Sequence, residues 1–463
     1  MSGHSAPPVL SHGDMSGGGN GREHWGSRLG FILATIGSAA GLGNVWRFPY
    51  VAGENGGAAF LIVYLVFLLL IGLPLVMAEL AIGRRVQGDA VQAFQRLSPG
   101  RPWVLAGYIA VCSAFVILGF YGVIAGWSLK FFAGAILGQF EVAADTTDIS
   151  YFERFIASPV EPVIWQFVMM AATVAIVAGG VRRGIERLNR VLIPMLGVVV
   201  IGLAGYTLSF EGARGGLAFL FSPDWSALGR PNVYLAAVGQ AFFSLGIGMA
   251  LFLTYGSYLA RGTRLPGAAL VIVAGDTLFA LIAGIAIFAA VFAFGMDPAA
   301  GPRLAFITLP RIFHVMPGGE MAGALFFLLL SAAALTSMVS VLEVPVAYLA
   351  RVSGLSRRRT AVLAGALVFL VGVPASLGYG VLDDVRWSGR GVLDSMDFVV
   401  SNFLLPAGGL AVALFAGWGW GRRNALGQSD LGTGVVGNAW LWVVRLVAPA
   451  LIVVIFLRAV GAF

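Results

Sequence analysis

Eleven apolar stretches recur along this chain, each long enough to cross a bilayer as a helix. They run roughly over 29–51, 56–83, 103–136, 160–179, 188–208, 232–260, 266–295, 319–350, 359–378, 392–420 and 436–459. A helix of about 20 residues spans the ~30 Å hydrocarbon layer. Inside that layer each backbone N–H and C=O must find a partner within the protein, so the expected fold is an all-α polytopic membrane protein. Composition agrees: 59% of the 463 residues are hydrophobic and 11% charged, more apolar surface than a soluble domain can hide. The single cysteine, Cys112, excludes an intrachain disulfide. The basic pI near 9.8 does not point to nucleic acid, because the charge lies in short loops between apolar runs. Residues 1–24 are Gly/Ser-rich and polar, and read as a disordered cytoplasmic tail rather than a signal peptide. The Pro-bounded segment 298–317 reads as an extracellular loop with short helices.

Loop charge sets the orientation. Arg84–Arg85, Arg182–Arg183, Arg357–Arg359 and Arg422–Arg423 all fall on one side, whereas Glu141, Asp145, Asp148, Asp383 and Asp384 fall on the other. The positive-inside rule puts the N-terminus in the cytoplasm and, for an odd span count, the C-terminus outside. The expected location is the cell's inner (plasma) membrane.

Two of the spans are poor helices. In the first, Gly37 to Pro49 reads GSAAGLGNVWRFP; Gly37, Gly41 and Gly43 weaken the helix, and Gly43-Asn44 reads as a break with a fresh N-terminus. The sixth carries Ser244, Gly246 and Gly248 at mid-span. Open backbone at that depth is tolerated where it lines a polar site, offering carbonyls to a cation and N–H groups to an anion. The alternative is a glycine face for helix packing. Two broken helices five spans apart fit two inverted five-helix repeats, 25–208 and 232–420, around a central site, with 436–463 as an accessory span.

Polar residues inside spans each need a reason, since a charge at mid-membrane costs about 2.5–3.5 kcal/mol on insertion scales. Asp276 lies mid-span and is expected to be protonated or paired with a cation. Thr336-Ser337 follow three alanines and serve either as helix glue or as cation ligands. Glu79 reads as a cap for a neighbouring helix. Glu343 and Asp397 lie towards span ends.

These residues, with Arg22-Glu-His-Trp25, the GSAAGLGNVWRFPY run, ENGG at 54–57, the span-six run from Gly239 to Tyr258, ALTSMVSVLEV and LDSMDF, resemble the neurotransmitter:sodium symporter family over nearly the whole chain. The eleven-span count looks like its bacterial branch. The resemblance implies the leucine-transporter-like 5+5 inverted-repeat fold and sodium-driven uptake of a small amine or amino acid. It implies a first sodium site from the Ala39 carbonyl, Asn44, Ser244 and Asp276 with the substrate carboxylate, Asp276 standing where the family usually has Asn. A second would use the Gly37, Ala40 and Ala333 carbonyls with the Thr336 and Ser337 hydroxyls. Substrate carboxylate would meet the Leu42 and Gly43 N–H groups and Tyr121; its ammonium would meet carbonyls of Ala39, Phe243, Ser244 and Gly246. Ile117, Tyr121, Phe243, Met249, Ser337 and Val341 would line the side-chain pocket. Arg47 and Asp397 match the outer gate pair, and Arg22, Trp25, Ser257 and Tyr258 the inner closure. Gly184 and Pro194 match the family's Gly-x9-Pro motif, where unwinding admits water to the second sodium site.

The departures from the family generate the sharper expectations. Gly41 stands where monoamine carriers have an aspartate, so the substrate should bring its own carboxylate: an α-amino acid, with room beside Gly246 and Met249 for a hydrophobic or aromatic side chain. Ala280 replaces a chloride-site serine near Tyr64, Gln240 and Ser244, and Asp276 already supplies negative charge, so no chloride requirement is expected. The inner gate's usual aspartate is Arg351 here; Glu343 is the nearest acid on that helix and is expected to pair with Arg22, helped by Ser257 and Tyr258. A channel is disfavoured because the polar groups gather at one depth. An enzyme is disfavoured because no nucleophile–base pair appears and His4, His12, His24 and His314 form no cluster. A non-transporting amino-acid-sensing receptor of the same fold would use the same binding residues, and counterflow of labelled substrate separates the two.

Overall fold

The computed structural model describes residues 23–138 and 151–459. Arg22, most of the N-terminal tail and the loop acids Glu141, Asp145 and Asp148 lie outside the described residues. Among the described residues the chain is helical, with one isolated bridge, Trp387 to Arg390, outside helices. Nine helices among the described residues are long and apolar enough to cross a membrane; the bent pair Arg28–Ala39 and Gly43–Glu54 brings the number to ten. The sixth expected span is present as Pro231–Leu245 and Leu251–Gly256, each too short to cross alone. The 298–317 loop contains the short helices Gly301–Leu304 and Thr308–Val315.

Burial separates the centre from the rim. Val104–Ile136 and Gly319–Ser353 have 78% and 83% of their most apolar windows buried, and they pack along each other. Glu161–Ala178, Val181–Thr207 and Val435–Arg458 bury only about a third of theirs, the behaviour of helices facing lipid. The first half of the first broken span, Arg28–Ala39, packs against both Val181–Thr207 and Gly319–Ser353.

Each break has a local cause. The helix Arg28–Ala39, capped by the Ser27 hydroxyl on the Gly30 N–H at 2.8 Å, ends in Ala40, whose ψ of 62° is not helical. Gly41 stays outside the helix, Leu42 already takes helical φ and ψ, and the helix resumes through Gly43–Glu54 with a 44° bend. The interruption therefore precedes Gly43-Asn44, the step expected from sequence. In the sixth span Gly246, Gly248 and Ala250 take φ of 65°, 90° and 55°. A Cβ at Gly248 would collide with the Leu405 carbonyl, so neither its φ nor its packing admits another residue. Glu79, fully buried, accepts the Gly248 N–H at 3.1 Å, the expected cap on an interrupted helix.

Candidate functional site

The ends of the first break supply open carbonyls on one side and open N–H groups on the other. On the N–H side, Leu42 donates to the Tyr121 hydroxyl at 2.8 Å. On the carbonyl side, the Ser337 hydroxyl donates to the Ser38 carbonyl at 3.0 Å and lies 3.5 Å from that of Gly37. Thr336 donates to the Ala333 carbonyl at 2.9 Å. The structure thus gathers Gly37, Ala333, Thr336 and Ser337 into one oxygen-rich cluster beside the break.

A second cluster joins three helices. The Asn44 amide donates to the Asp276 carboxylate and backbone carbonyl, both at 2.8 Å. The Ser244 hydroxyl lies 2.8 Å from Asn44 Oδ1 and 2.9–3.0 Å from the Asp276 carboxylate oxygens. All three side chains are buried. No group of three or more His, Cys, Asp or Glu residues that could hold a metal occurs among the described residues. Both clusters are built from carbonyls, hydroxyls and an amide with a single carboxylate between them. Such all-oxygen shells of low charge suit a hard monovalent cation; tight divalent sites carry more carboxylates.

Between the clusters lies a small cavity of about 20 Å³, room for about one water molecule, lined by Ser38, Ala39, Gly43, Ile117, Leu118, Tyr121, Phe243, Ser244, Gly246, Met249, Ser337 and Val341. Ser38 and Leu118 are lining residues that sequence reasoning missed; each directly adjoins a residue named for the pocket. Gly41 stands at the cavity edge, where a Cβ would fall on the Ser337 hydroxyl and 2.5 Å from the Tyr121 hydroxyl.

The outer side closes by aromatic packing. Tyr121 and Phe243 stack with centroids 6.4 Å apart, and the Arg47 guanidinium sits 4.5 Å from the Phe243 centroid. Arg47 donates to Gln240 at 3.2 Å. It forms no ion pair with Asp397, which instead accepts the Ser401 hydroxyl one turn along its own helix at 2.9 Å. Arg47 is drawn to the Phe243 face and to Gln240, whose amide also donates to the Gly43 carbonyl at 2.7 Å.

At the inner side, Trp25 packs edge-on against Tyr255 and Tyr258, at 5.0 and 6.3 Å, and donates to the Tyr255 carbonyl at 3.1 Å. Ser257 turns back to the Thr254 carbonyl at 2.7 Å and makes no link to the gate acid. Glu343, fully buried, is held by Arg357 through two bonds of 3.1 and 2.6 Å and by the Tyr258 hydroxyl at 2.5 Å. Arg357, at the start of helix Arg357–Ser376, thus holds the acid expected to pair with Arg22, which itself lies outside the described residues; Glu23 lies 3.7 Å from the same guanidinium. Arg351 forms a two-bond ion pair with Asp89, the N-cap of helix Ala90–Leu97. Arg357 and Asp89 were invisible as gate residues, the first in a run of three arginines and the second as an ordinary cap.

Gly184 opens the helix Val181–Thr207 within a π-turn after Gly180 at φ 88°, and Pro194 lies inside that helix. A Cβ at Gly184 would strike the Ile176 carbonyl, so close packing requires glycine there as well.

Comparison with known proteins matches this architecture. The model of the sodium:neurotransmitter symporter family matches residues 22–151 and 155–463. A Bacillus subtilis (strain 168) protein described as the uncharacterized sodium-dependent transporter YhdH is 39% identical over 94% of this chain and 97% of its own length. An uncharacterized sodium-dependent transporter of Haemophilus influenzae is 32% identical over 94% of this chain and 98% of its own. The crystal structure of MhsT in complex with L-phenylalanine superposes with a TM-score of 0.89 at 54% identity, covering 95% of this chain and all of that one. The chain is a multi-pass membrane protein with the leucine-transporter-like fold, and it belongs to the sodium:neurotransmitter symporter family, in its bacterial branch.

Proposed function

We propose that this protein imports an α-amino acid with a hydrophobic or aromatic side chain, coupled to two sodium ions, by alternating access around the central cavity. The observation that carries the substrate class is Gly41. A methyl group there already overlaps Ser337 and crowds Tyr121, so the chain has no space for a protein carboxylate to meet a substrate amine. The carboxylate that faces the Leu42–Gly43 end of the break must therefore come from the substrate, in addition to the Asp276 charge. The substrate carboxylate meets the Leu42 and Gly43 N–H groups and Tyr121, at a helix N-terminus where anions are favoured. The ammonium meets carbonyls of Ala39, Phe243, Ser244 and Gly246, and the side chain enters the surface formed by Ile117, Met249 and Val341. The neighbouring structure, MhsT with phenylalanine, supports this class.

In this reading the first sodium uses the Ala39 carbonyl, Asn44, Ser244 and Asp276, and the second uses Gly37, Ala40, Ala333, Thr336 and Ser337. Chloride is dispensable. Gln240 is committed to Gly43 and Arg47, position 280 is a buried alanine without a hydroxyl, and Asp276 already supplies the charge. Residues 25–208 and 232–420 form the two repeats, and the arginine-rich face is cytoplasmic in the plasma membrane. The test is purified protein in proteoliposomes with an inward sodium gradient. Labelled phenylalanine, leucine or tryptophan should accumulate and undergo counterflow. Binding without counterflow would leave a receptor, and a response confined to tyramine or dopamine would refute the substrate class.

A further inference from the structure

On the face of helix Val181–Thr207 turned to helix Arg28–Ala39, one buried polar atom has no partner. Asn189 is fully buried, and its amide nitrogen donates to the Ile185 carbonyl at 2.9 Å. That bond fixes the amide, since the reverse orientation would set two oxygens against each other. Its Oδ1 then has no hydrogen-bond partner. The oxygen is aimed at Gly37: a Cβ built on Gly37 would fall onto it. Gly37 belongs to the oxygen cluster assigned above to the second sodium, and its carbonyl faces Ser337.

The neighbouring polar group is already committed. Glu186, one turn towards the cytoplasm at about 4.5 Å of rise, accepts from the Gly26 N–H at 2.6 Å, Ser27 at 3.2 Å and Arg190 at 2.5 Å. Among the described residues, Asn189 Oδ1 is the buried side-chain acceptor left unused at this seam. A buried unpaired amide oxygen costs about 1–3 kcal/mol, and a leucine would pack there without that cost. A ligand that arrives in another state of the cycle would offset that cost. An amide oxygen is a hard donor of the kind Asn44 provides at the first cluster.

We propose that Asn189 Oδ1 is a transit ligand for the sodium ion leaving the second site: it binds the ion as helices Arg28–Ala39 and Val181–Thr207 part towards the cytoplasm, taking over from the Gly37 carbonyl. This rests on the symport reading. The residue does not belong to the resident shell, because Gly37 lies between it and the cluster, so it acts on release and not on equilibrium affinity.

The test compares Asn189→Val, which removes the oxygen, with Asn189→Asp, which keeps one in place, in proteoliposomes and in detergent. Net uptake driven by an inward sodium gradient requires sodium release; exchange with equal saturating sodium on both sides does not. Asn189→Val should lower net uptake about tenfold, the low end of a lost polar ligand's effect on a limiting step. Exchange and the sodium concentration for half-maximal thermal stabilisation should both stay within about twofold, and Asn189→Asp should restore most net uptake. Unchanged net uptake in Asn189→Val, or a parallel loss in exchange and sodium affinity, overturns the inference while leaving symport intact. A wild-type chain that exchanges substrate without sodium removes both.

Discussion

Replacing Glu343 by glutamine should open the inner side of the protein. The carboxylate is fully buried and holds both the Arg357 guanidinium and the Tyr258 hydroxyl. Removing one partner of a buried pair costs about 3–5 kcal/mol, because the other charge is left uncompensated. Arg357 is about one quarter exposed and keeps Glu23 at 3.7 Å, so the low end applies. These contacts join helix Gly319–Ser353 to the inner end of span six and the start of helix Arg357–Ser376, and they bias the closed inner side. A loss of ~3 kcal/mol moves an inward-open population from about one in a hundred to roughly one half. The assay is labelling of a cysteine engineered beside Tyr258, in a Cys112→Ala background, with sodium present. Glu343→Gln should raise the labelling rate tenfold or more, and Arg357→Met should do the same. The double variant should be milder than the sum of the two, because an apolar pair leaves no stranded charge. Additive effects, or unaltered labelling in Glu343→Gln, would refute the reasoning.

Three further outcomes are expected. Gly41→Ala should weaken substrate binding by about 5- to 100-fold, the effect of a 1–3 kcal/mol overpacking against Ser337 and Tyr121, read by calorimetry with sodium saturating. Replacing chloride by gluconate should leave initial uptake rates unchanged, and a several-fold fall would show an anion site that the Gln240 and Ala280 geometry does not provide. Asp430, in the loop before the last span, is pushed up by burial but pulled further down by its Arg84 and Leu265 N–H hydrogen bonds, so its carboxyl sits below the ordinary range. A depressed carboxyl stabilises above its unfolded value of about 3.9 and loses that contribution as pH falls through the folded one; the melting temperature of the wild type should drop below about pH 4, more steeply than that of Asp430→Asn, which keeps only the share of the other paired carboxylates.

The sequence carried the helices and the breaks because both are local. Apolar runs and glycine spacing mark where a span exists and where it fails, without reference to neighbours. The exact step of the first break was misplaced because long-range contacts decide it. Gly41 is pinned by Ser337 and Tyr121, and Leu42 gives its N–H to Tyr121, residues far away in sequence. Ion pairs were less legible still. Arg357, Arg358 and Arg359 are identical in type, and only helix phase decides that Arg357 turns onto Glu343. Asp89 reads as a cap and is one, yet the same carboxylate also takes Arg351. Arg47 departs from its expected acid because a buried guanidinium gains more from the Phe243 face and the Gln240 amide than from Asp397 nearer solvent.

The two ends of the cavity are therefore closed by different physics. Outside, the cover is a stacked pair of rings under a guanidinium, contacts that individually contribute about 0.5–2 kcal/mol and weaken gradually as the rings part. Inside, helix Gly319–Ser353 carries two charges eight residues apart, each fixed by a partner on another element: Glu343 by Arg357 and Arg351 by Asp89. The Glu343–Arg357 pair, whose carboxylate is fully buried, separates only when water or another charge replaces the partner, so it is close to all-or-none. Arg351 is exposed, and its pair with Asp89 is screened by water. In the proposed cycle this assigns control of the slow transition to the inner side. The outer cover follows the occupancy of the cavity beneath it, since Tyr121 and Phe243 line that cavity. The inner pairs touch no proposed ligand. In the proposed cycle, sodium on the Gly37 and Ala39 carbonyls would hold helix Arg28–Ala39 against the elements that carry Tyr255 and Tyr258, and so keep the ion pairs in place. Its loss removes the restraint on the helix end, and the inner side can open.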